Sequence, residues 1–117
     1  MLSSVYYYID DRGNNPVKAF ITSLPLKDRA KVFAYIEELK QQGHNLRHPL
    51  ADYLGHGIYE LRPKHNRVFY LFFMKENAVL VHAIKKETDK IPKNDSQLCI
   101  KRKNQVEREH RNIQRLL

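Results

Sequence analysis

Residues 57–84 read GIYELRPKHNRVFYLFFMKENAVLVHAI. Three runs rich in aromatic and β-branched side chains stand out, at 58–62, 67–74 and 78–84. Each has the length of a strand, and such residues fit the half-buried surface of a pleated sheet. Between them lie Pro63-Lys64-His65-Asn66 and Lys75-Glu76-Asn77. Gaps this short join antiparallel neighbours, so the stretch predicts a three-stranded meander.

Loop length also predicts the register. A four-residue first loop sets Arg62 opposite Arg67, Glu60 opposite Phe69 and Ile58 opposite Leu71. A three-residue second loop sets Arg67 opposite Lys85, Phe69 opposite Ala83 and Tyr70 opposite His82. Side chains alternate between faces, so Arg62, Arg67 and Lys85 would form one row at one end of the sheet. Like charges directly opposed destabilise a sheet, which points to an anion that uses the row. The alternative is that these long side chains splay into water at a frayed end. His82, Tyr59 and Tyr70 fall on the other face, either as an acid/base set or as a hydrogen-bonded core row. Glu60, the lone acid between aromatics, is expected to pair with Arg62 or Arg67, or to take part in the chemistry.

Upstream, residues 5–9 (VYYYI) read as a strand with much of both faces covered, ended by the turn Asp10-Asp11-Arg12-Gly13-Asn14. Asn15-Pro16 has the form of an N-cap followed by Pro at the first helical position. Val17, Phe20, Ile21 and Leu24 then recur at helical spacing. A longer helix is expected over 26–42, with Leu26, Ala30, Phe33, Ile36 and Leu39 mainly on its apolar side and Gly43 just past its end. The two helices form a hairpin that must cover a sheet face.

Residues 44–57 read as a polar surface connector carrying His44, His48 and His56. A metal set is disfavoured there, because Pro49 disrupts a helical pair and no Cys or ordered acid joins it. Downstream, a final helix is expected over about 94–112, with a thin seam in which Cys99, Val106 and Ile113 recur every seven residues. Cys99 reads as a small core residue.

The chain has 117 residues, enough for one domain with a modest core. The compact part is expected over about 4–102, with a basic helix or tail over about 103–117. No run is long and apolar enough for a membrane span. The N-terminal sequence lacks the order of a signal peptide, and one cysteine cannot form an internal disulfide, so a cytoplasmic location is expected. The formal charge is +8. Residues 85–117 hold ten Lys and Arg against five Asp and Glu, which places +5 of it in that segment. Such a balance favours polyanions, nucleic acid first.

The order β-α-α-β-β-β-α, with Gly57-Ile58-Tyr59-Glu60-Leu61-Arg62, then Arg67-Val68-Phe69-Tyr70, then Lys85-Lys86-Glu87-Thr88-Asp89-Lys90-Ile91-Pro92, resembles the RelE/ParE superfamily of bacterial toxins. Within it, the chain looks like the phage-derived HigB-like branch. The resemblance covers about residues 6–102 and implies an α+β, RelE-like fold. It implies a type II toxin that cleaves mRNA in the ribosomal A site and inhibits translation, without metal or other cofactor. Its partners would be that mRNA and a cognate antitoxin, often a helix-turn-helix DNA-binding protein.

In the implied chemistry the ribose 2′-OH attacks its own phosphate and the 5′-oxygen leaves. That needs a base, an acid and positive charge for the pentacoordinate phosphate. Matched by motif, Arg62 and Arg67 would bind the scissile phosphate and Lys85 would transfer a proton, with Lys86, Lys64 and Lys90 on the RNA backbone and Phe69 stacking a base. Arg47, His48 and His65 are further candidates for phosphate contacts. Two other readings stay open: a ParE-like poison of DNA gyrase, and a non-enzymatic basic module that binds nucleic acid or a protein partner.

Overall fold

The computed structural model of the chain describes residues 1–87 and 89–116; Thr88 of the lysine-rich run, and Leu117 at the end of the expected domain, lie outside the described residues. The elements are β1 (Ser4–Tyr8), α1 (Pro16–Ser23), α2 (Leu26–Gln42), a 3-10 turn (Gly43–Asn45), β2 (Ala51–Gly55), β3 (Ile58–Leu61), β4 (Asn66–Phe73), β5 (Asn77–Lys85), α3 (Lys93–Arg108) and β6 (Ile113–Arg115). They form one six-stranded sheet in the order β2-β3-β4-β5-β1-β6. This is the α+β, RelE-like arrangement expected, with two edge strands added.

The helices begin and end where local chemistry dictates. The Asn15 side chain accepts a hydrogen bond from the Lys18 N–H, and Pro16 opens α1. Gly43 closes α2 at φ +53°, a conformation glycine adopts freely. The sheet separates two cores. On one side α1 and α2 bring Val17, Ile21, Val32, Ile36 and Leu39 onto Val5, Tyr7, Leu61, Val68, Tyr70 and Leu80. On the other side Cys99 and Val106 of α3 meet Ile58, Phe69, Leu71, Val79 and Val81.

The sequence reading of α2 merged two apolar stripes: of Leu26, Ala30, Phe33, Ile36 and Leu39, only Ile36 and Leu39 are buried against the sheet, and Val32 joins them. Leu26, Ala30 and Phe33 repeat at i, i+4 and i+7, but so do Val32, Ile36 and Leu39. The second stripe faces the sheet, while Leu26 and Phe33 are 75% and 40% exposed.

Two strands were not foreseen. β2, inside the expected polar connector, pairs with β3 and lengthens the meander to four strands. β6 pairs antiparallel with β1, and β1 lies parallel to β5. In the segment expected as a basic helix or tail over about 103–117, α3 continues to Arg108 and β6 follows, and Val106 and Asn112 are buried. Val106 is fully buried, and the Asn112 side chain donates to the Ile9 carbonyl and to Asp11. The seven-residue seam divides accordingly, with Cys99 and Val106 on α3 and Ile113 on β6, all against the same core.

The first hairpin keeps the expected register, with Glu60 opposite Phe69. The second does not. Its turn is Met74-Lys75-Glu76, closed by Phe73 opposite Asn77, and both Met74 and Lys75 take positive φ. A bulge after Phe69 then leaves Val81 unpaired, so Phe69 faces His82 and Tyr70 faces Leu80. Lys85 is opposite Asn66, and Arg67 is opposite Ile84.

Candidate functional site

A slip of one residue turns every later side chain to the other face. Glu60, Phe69 and His82 therefore share the α3 side of the sheet, and alternation continues through Ile84 to Lys86. Lys86 extends the ladder by donating its N–H to the His65 carbonyl at 2.6 Å. The third place of the row expected as Arg62, Arg67 and Lys85 is held by Ile84, opposite Arg67; Lys86, two residues on, continues along that face, and Lys85 alternates with it.

These residues line a cleft of about 540 Å³ at the end of β3, β4 and β5. Its floor is Glu60, Arg62 and Arg67; Lys85, Lys86 and Lys90 come from the exit of β5; Ile91, Pro92 and Asp95 close the side toward α3. Glu60 and Arg67 are 7% and 6% exposed. The Nε atoms of Arg62 and Arg67 lie 3.8 and 3.6 Å from the same Glu60 oxygen, Oε1. Both guanidinium groups are thus on the same side of the molecule and share one buried carboxylate.

The row is not a bare cluster of like charges. Arg62 Nη1 donates to Asp52 Oδ2 at 2.7 Å. Arg67 Nη1 donates to the carbonyls of Lys64 and Asn66 at 3.0 and 2.7 Å. Lys86 Nζ is 3.5 Å from Asp89. Glu87 and Asp95 also line the cleft. Crowding among cations is therefore already relieved by carboxylates and carbonyls within the chain, which is neither the bound anion nor the splaying into water that the sequence suggested.

The electrostatics follow from burial. Burial pushes the Glu60 pKa above the ordinary carboxylate value, and Arg67, Arg62 and Lys86 offset this only in part. The reason is geometric: the well-aligned N–H groups of both arginines are directed to Asp52 and to the loop carbonyls. Burial likewise drives the Arg67 pKa down, against the pull of Glu60. At Asp52, desolvation works upward, but the hydrogen bonds and charges of Arg62 and His48 outweigh it and hold the carboxyl below its usual range.

The expected His82–Tyr59–Tyr70 trio is divided. Tyr59 and Tyr70 stack on the helical-hairpin side, 5.3 Å between centroids. The Tyr70 hydroxyl is buried with no hydrogen-bond partner among the described residues, and burial raises its pKa. His82 is on the opposite side, with Nε2 2.7 Å from Asp95 Oδ1 and Nδ1 3.4 Å from Arg102 Nη1. The Asp95 carboxylate thus meets one ring nitrogen and the Arg102 guanidinium the other. His82 thereby ties β5 to α3 behind the cleft.

Phe69, expected to stack a base, is 1% exposed beneath α3 and packs on the His82 ring. Lys64 is in the turn before β4 at φ +56° and does not line the cleft. Burial pushes the Cys99 thiol up to about 12, which suits its core placement. His44 stacks on Phe72, His48 faces Asp52 at 3.5 Å and His56 is in the β2–β3 turn at positive φ. Among the described residues no three His, Cys, Asp or Glu are grouped to hold a metal ion. Sequence reasoning missed Asp52 because it missed β2, and missed Asp95 because helix register alone does not show which wall a residue faces. Ala51-Asp52-Tyr53-Leu54 has no apolar/polar alternation to mark a strand, so β2 carried little signal in the sequence.

Residues 19–104 match the family described as "Phage derived protein Gp49-like (DUF891)". The match spans most of the chain and the whole cleft, and the protein belongs to this family, one of the RelE-like toxin type in toxin–antitoxin systems. No curated protein matches the chain. No helix among the described residues is long and apolar enough to cross a membrane.

Proposed function

We propose that this protein is the toxin of a type II pair, of the HigB-like branch, and that it cleaves mRNA held in the ribosomal A site without a metal ion. The observation that carries this reading is the shared carboxylate: Glu60, buried between Arg62 and Arg67, at the floor of a cleft walled by lysines. RNA supplies its own nucleophile. The 2′-OH loses a proton, its oxygen bonds to the adjacent phosphorus, and the P–O5′ bond breaks. The products are a 2′,3′-cyclic phosphate and a 5′-hydroxyl.

Each requirement has a residue suited to it. Glu60 is the carboxylate placed to accept the 2′-OH proton, since burial brings its pKa nearer neutrality and so makes it a stronger base. Arg62, with its side chain 30% exposed, is the arginine that reaches a phosphate directly. Arg67 acts from beneath, holding Glu60 and adding positive potential. Lys86 faces the same floor and is suited to the charge on the phosphate or to the leaving oxygen. Lys90 borders the cleft mouth. Lys85 moves from proton transfer to backbone contact. An antitoxin partner is implied by the family, and a helix-turn-helix repressor is the form we expect.

Expression in a bacterial host, with message 5′ ends mapped on ribosomes, tests the proposal. Cuts phased to the reading frame, lost in Arg62→Ala, are expected. Intact message with broken DNA would instead favour gyrase poisoning. Growth arrest that survives Arg62→Ala and Lys86→Ala but needs residues 103–117 would favour the non-enzymatic module.

A further inference from the structure

The outer face of α2 has no role in the cleft, which is on the other side of the sheet. Leu26, Ala30, Phe33 and Ala34 follow one another at i, i+4, i+7 and i+8, the spacing of a single helical stripe. All four are exposed, Leu26 at 75% and Phe33 at 40%. A leucine and a phenylalanine on one exposed stripe form an apolar patch rather than scattered surface residues.

The first half of α2 carries Lys27, Arg29 and Lys31 against Asp28, and the second Glu37 and Glu38 against Lys40. Beside the stripe itself stand Lys27 and Lys31 in the first half and Glu37 and Glu38 in the second. A helix stabilised alone places a carboxylate four residues before a lysine; here two lysines stand four apart and repel. None of the four makes an ion pair among the described residues. The two carboxylates hydrogen-bond to Gln41 and Gln42, and Lys31 lies over the Tyr35 ring.

We infer that the outer face of α2 binds a second copy of this chain, with the two α2 helices antiparallel about a two-fold axis near their middle. Reversal of one helix brings the basic half of each copy against the acidic half of the other. Lys27 then lies beside Glu37 and Glu38 of the second copy, twice over. Ala30 and Ala34 at the centre let the backbones approach, and Leu26 and Phe33 lose contact with water. A partner of any other sequence would need a matching charge reversal; a second copy supplies it by symmetry. One 17-residue helix, about 25 Å long, offers an interface at the small end of the stable range, so the association is weak and reversible.

Sedimentation equilibrium of the full chain tests this. Mass should rise from that of one chain toward two between about 10 µM and 1 mM. Lys27→Glu should weaken association at least tenfold, and Phe33→Asp should abolish it, while circular dichroism remains that of the parent. Adding Glu38→Lys to Lys27→Glu, with Glu37→Gln to remove the remaining like charge, should restore association to within about threefold of the parent, because a pairing is rebuilt in reverse. A chain that stays monomeric to 1 mM would overturn the inference. So would a dimer indifferent to these changes, or one that the combined variant does not restore. Protection of α2 from hydrogen exchange only when an antitoxin is added would assign the face to that partner and overturn it as well.

Discussion

Replacing Glu60 by Gln keeps the shape of the side chain and removes its charge. Two arginine Nε atoms within 4 Å invite the expectation of a large loss, since removing one partner of a buried ion pair costs about 3–5 kcal/mol. The structure predicts otherwise. Neither contact is a hydrogen bond, and burial has pushed the Glu60 pKa up rather than down. Relative to the unfolded chain, folding therefore favours the neutral carboxyl over the charged one. Arg67 keeps two carbonyl acceptors and Arg62 keeps Asp52 when the charge is removed.

We expect Glu60→Gln to change the unfolding free energy at neutral pH by less than about 1 kcal/mol, with stabilisation the favoured direction. At this chain length that is a Tm change under about 5 °C. The sign of the pH effect is also fixed. A carboxyl whose folded pKa is raised contributes stability that is complete below its unfolded pKa and is lost as pH rises through the folded value. Urea unfolding of the parent should show that loss, and the variant should lack this component. RNA cleavage should fall by about 10²–10⁴-fold, the usual contribution of a positioned base. A loss of 3 kcal/mol or more, or an active variant, would refute the reasoning.

Lys86→Ala should reduce cleavage at least tenfold more than Lys85→Ala; equal effects would contradict the register that turns Lys86 to the floor, and single-turnover rates separate them. Tyr70→Phe removes a buried hydroxyl that has no partner among the described residues, so thermal unfolding should show unchanged stability or a gain of up to about 1 kcal/mol, with cleavage intact. Asp52→Asn loosens Arg62 and should cost about 0.2–1 kcal/mol, with a several-fold rise in KM for RNA. Because the folded pKa of Asp52 is depressed, its contribution is present above the unfolded pKa and is lost as pH falls through the folded one. Urea titrations at several pH values show this as a parent–variant difference that narrows in acid.

Local chemistry was legible in the sequence. The Asn15-Pro16 start of α1, the bounds of α2 and the pairing of Glu60 with Phe69 follow from capping, periodicity and loop length. The second hairpin was hidden because its left-handed residues are Met74 and Lys75, neither of which advertises positive φ. Tertiary bonds hold that turn: His44 Nε2 reaches the Lys75 carbonyl, and the Ser3 N–H donates to the Glu76 carbonyl. The bulge at Val81 left no sequence mark, yet it decided which lysine faces Glu60, since the moved turn shifts the pairing by two residues and keeps each side chain on its face. β6 depends on pairing with β1 across more than a hundred residues, beyond any local pattern. Asp52 became visible only once β2 was laid beside β3.

The chemistry of the cut ends tests the central claim most directly. Purified protein, programmed ribosomes and end-labelled message should yield a 5′-hydroxyl on the downstream fragment and a 2′,3′-cyclic phosphate on the upstream one. Both products should disappear with Glu60→Gln. A 5′-phosphate on the downstream fragment would mean that water, and not the ribose hydroxyl, attacked the phosphorus, and would contradict the account.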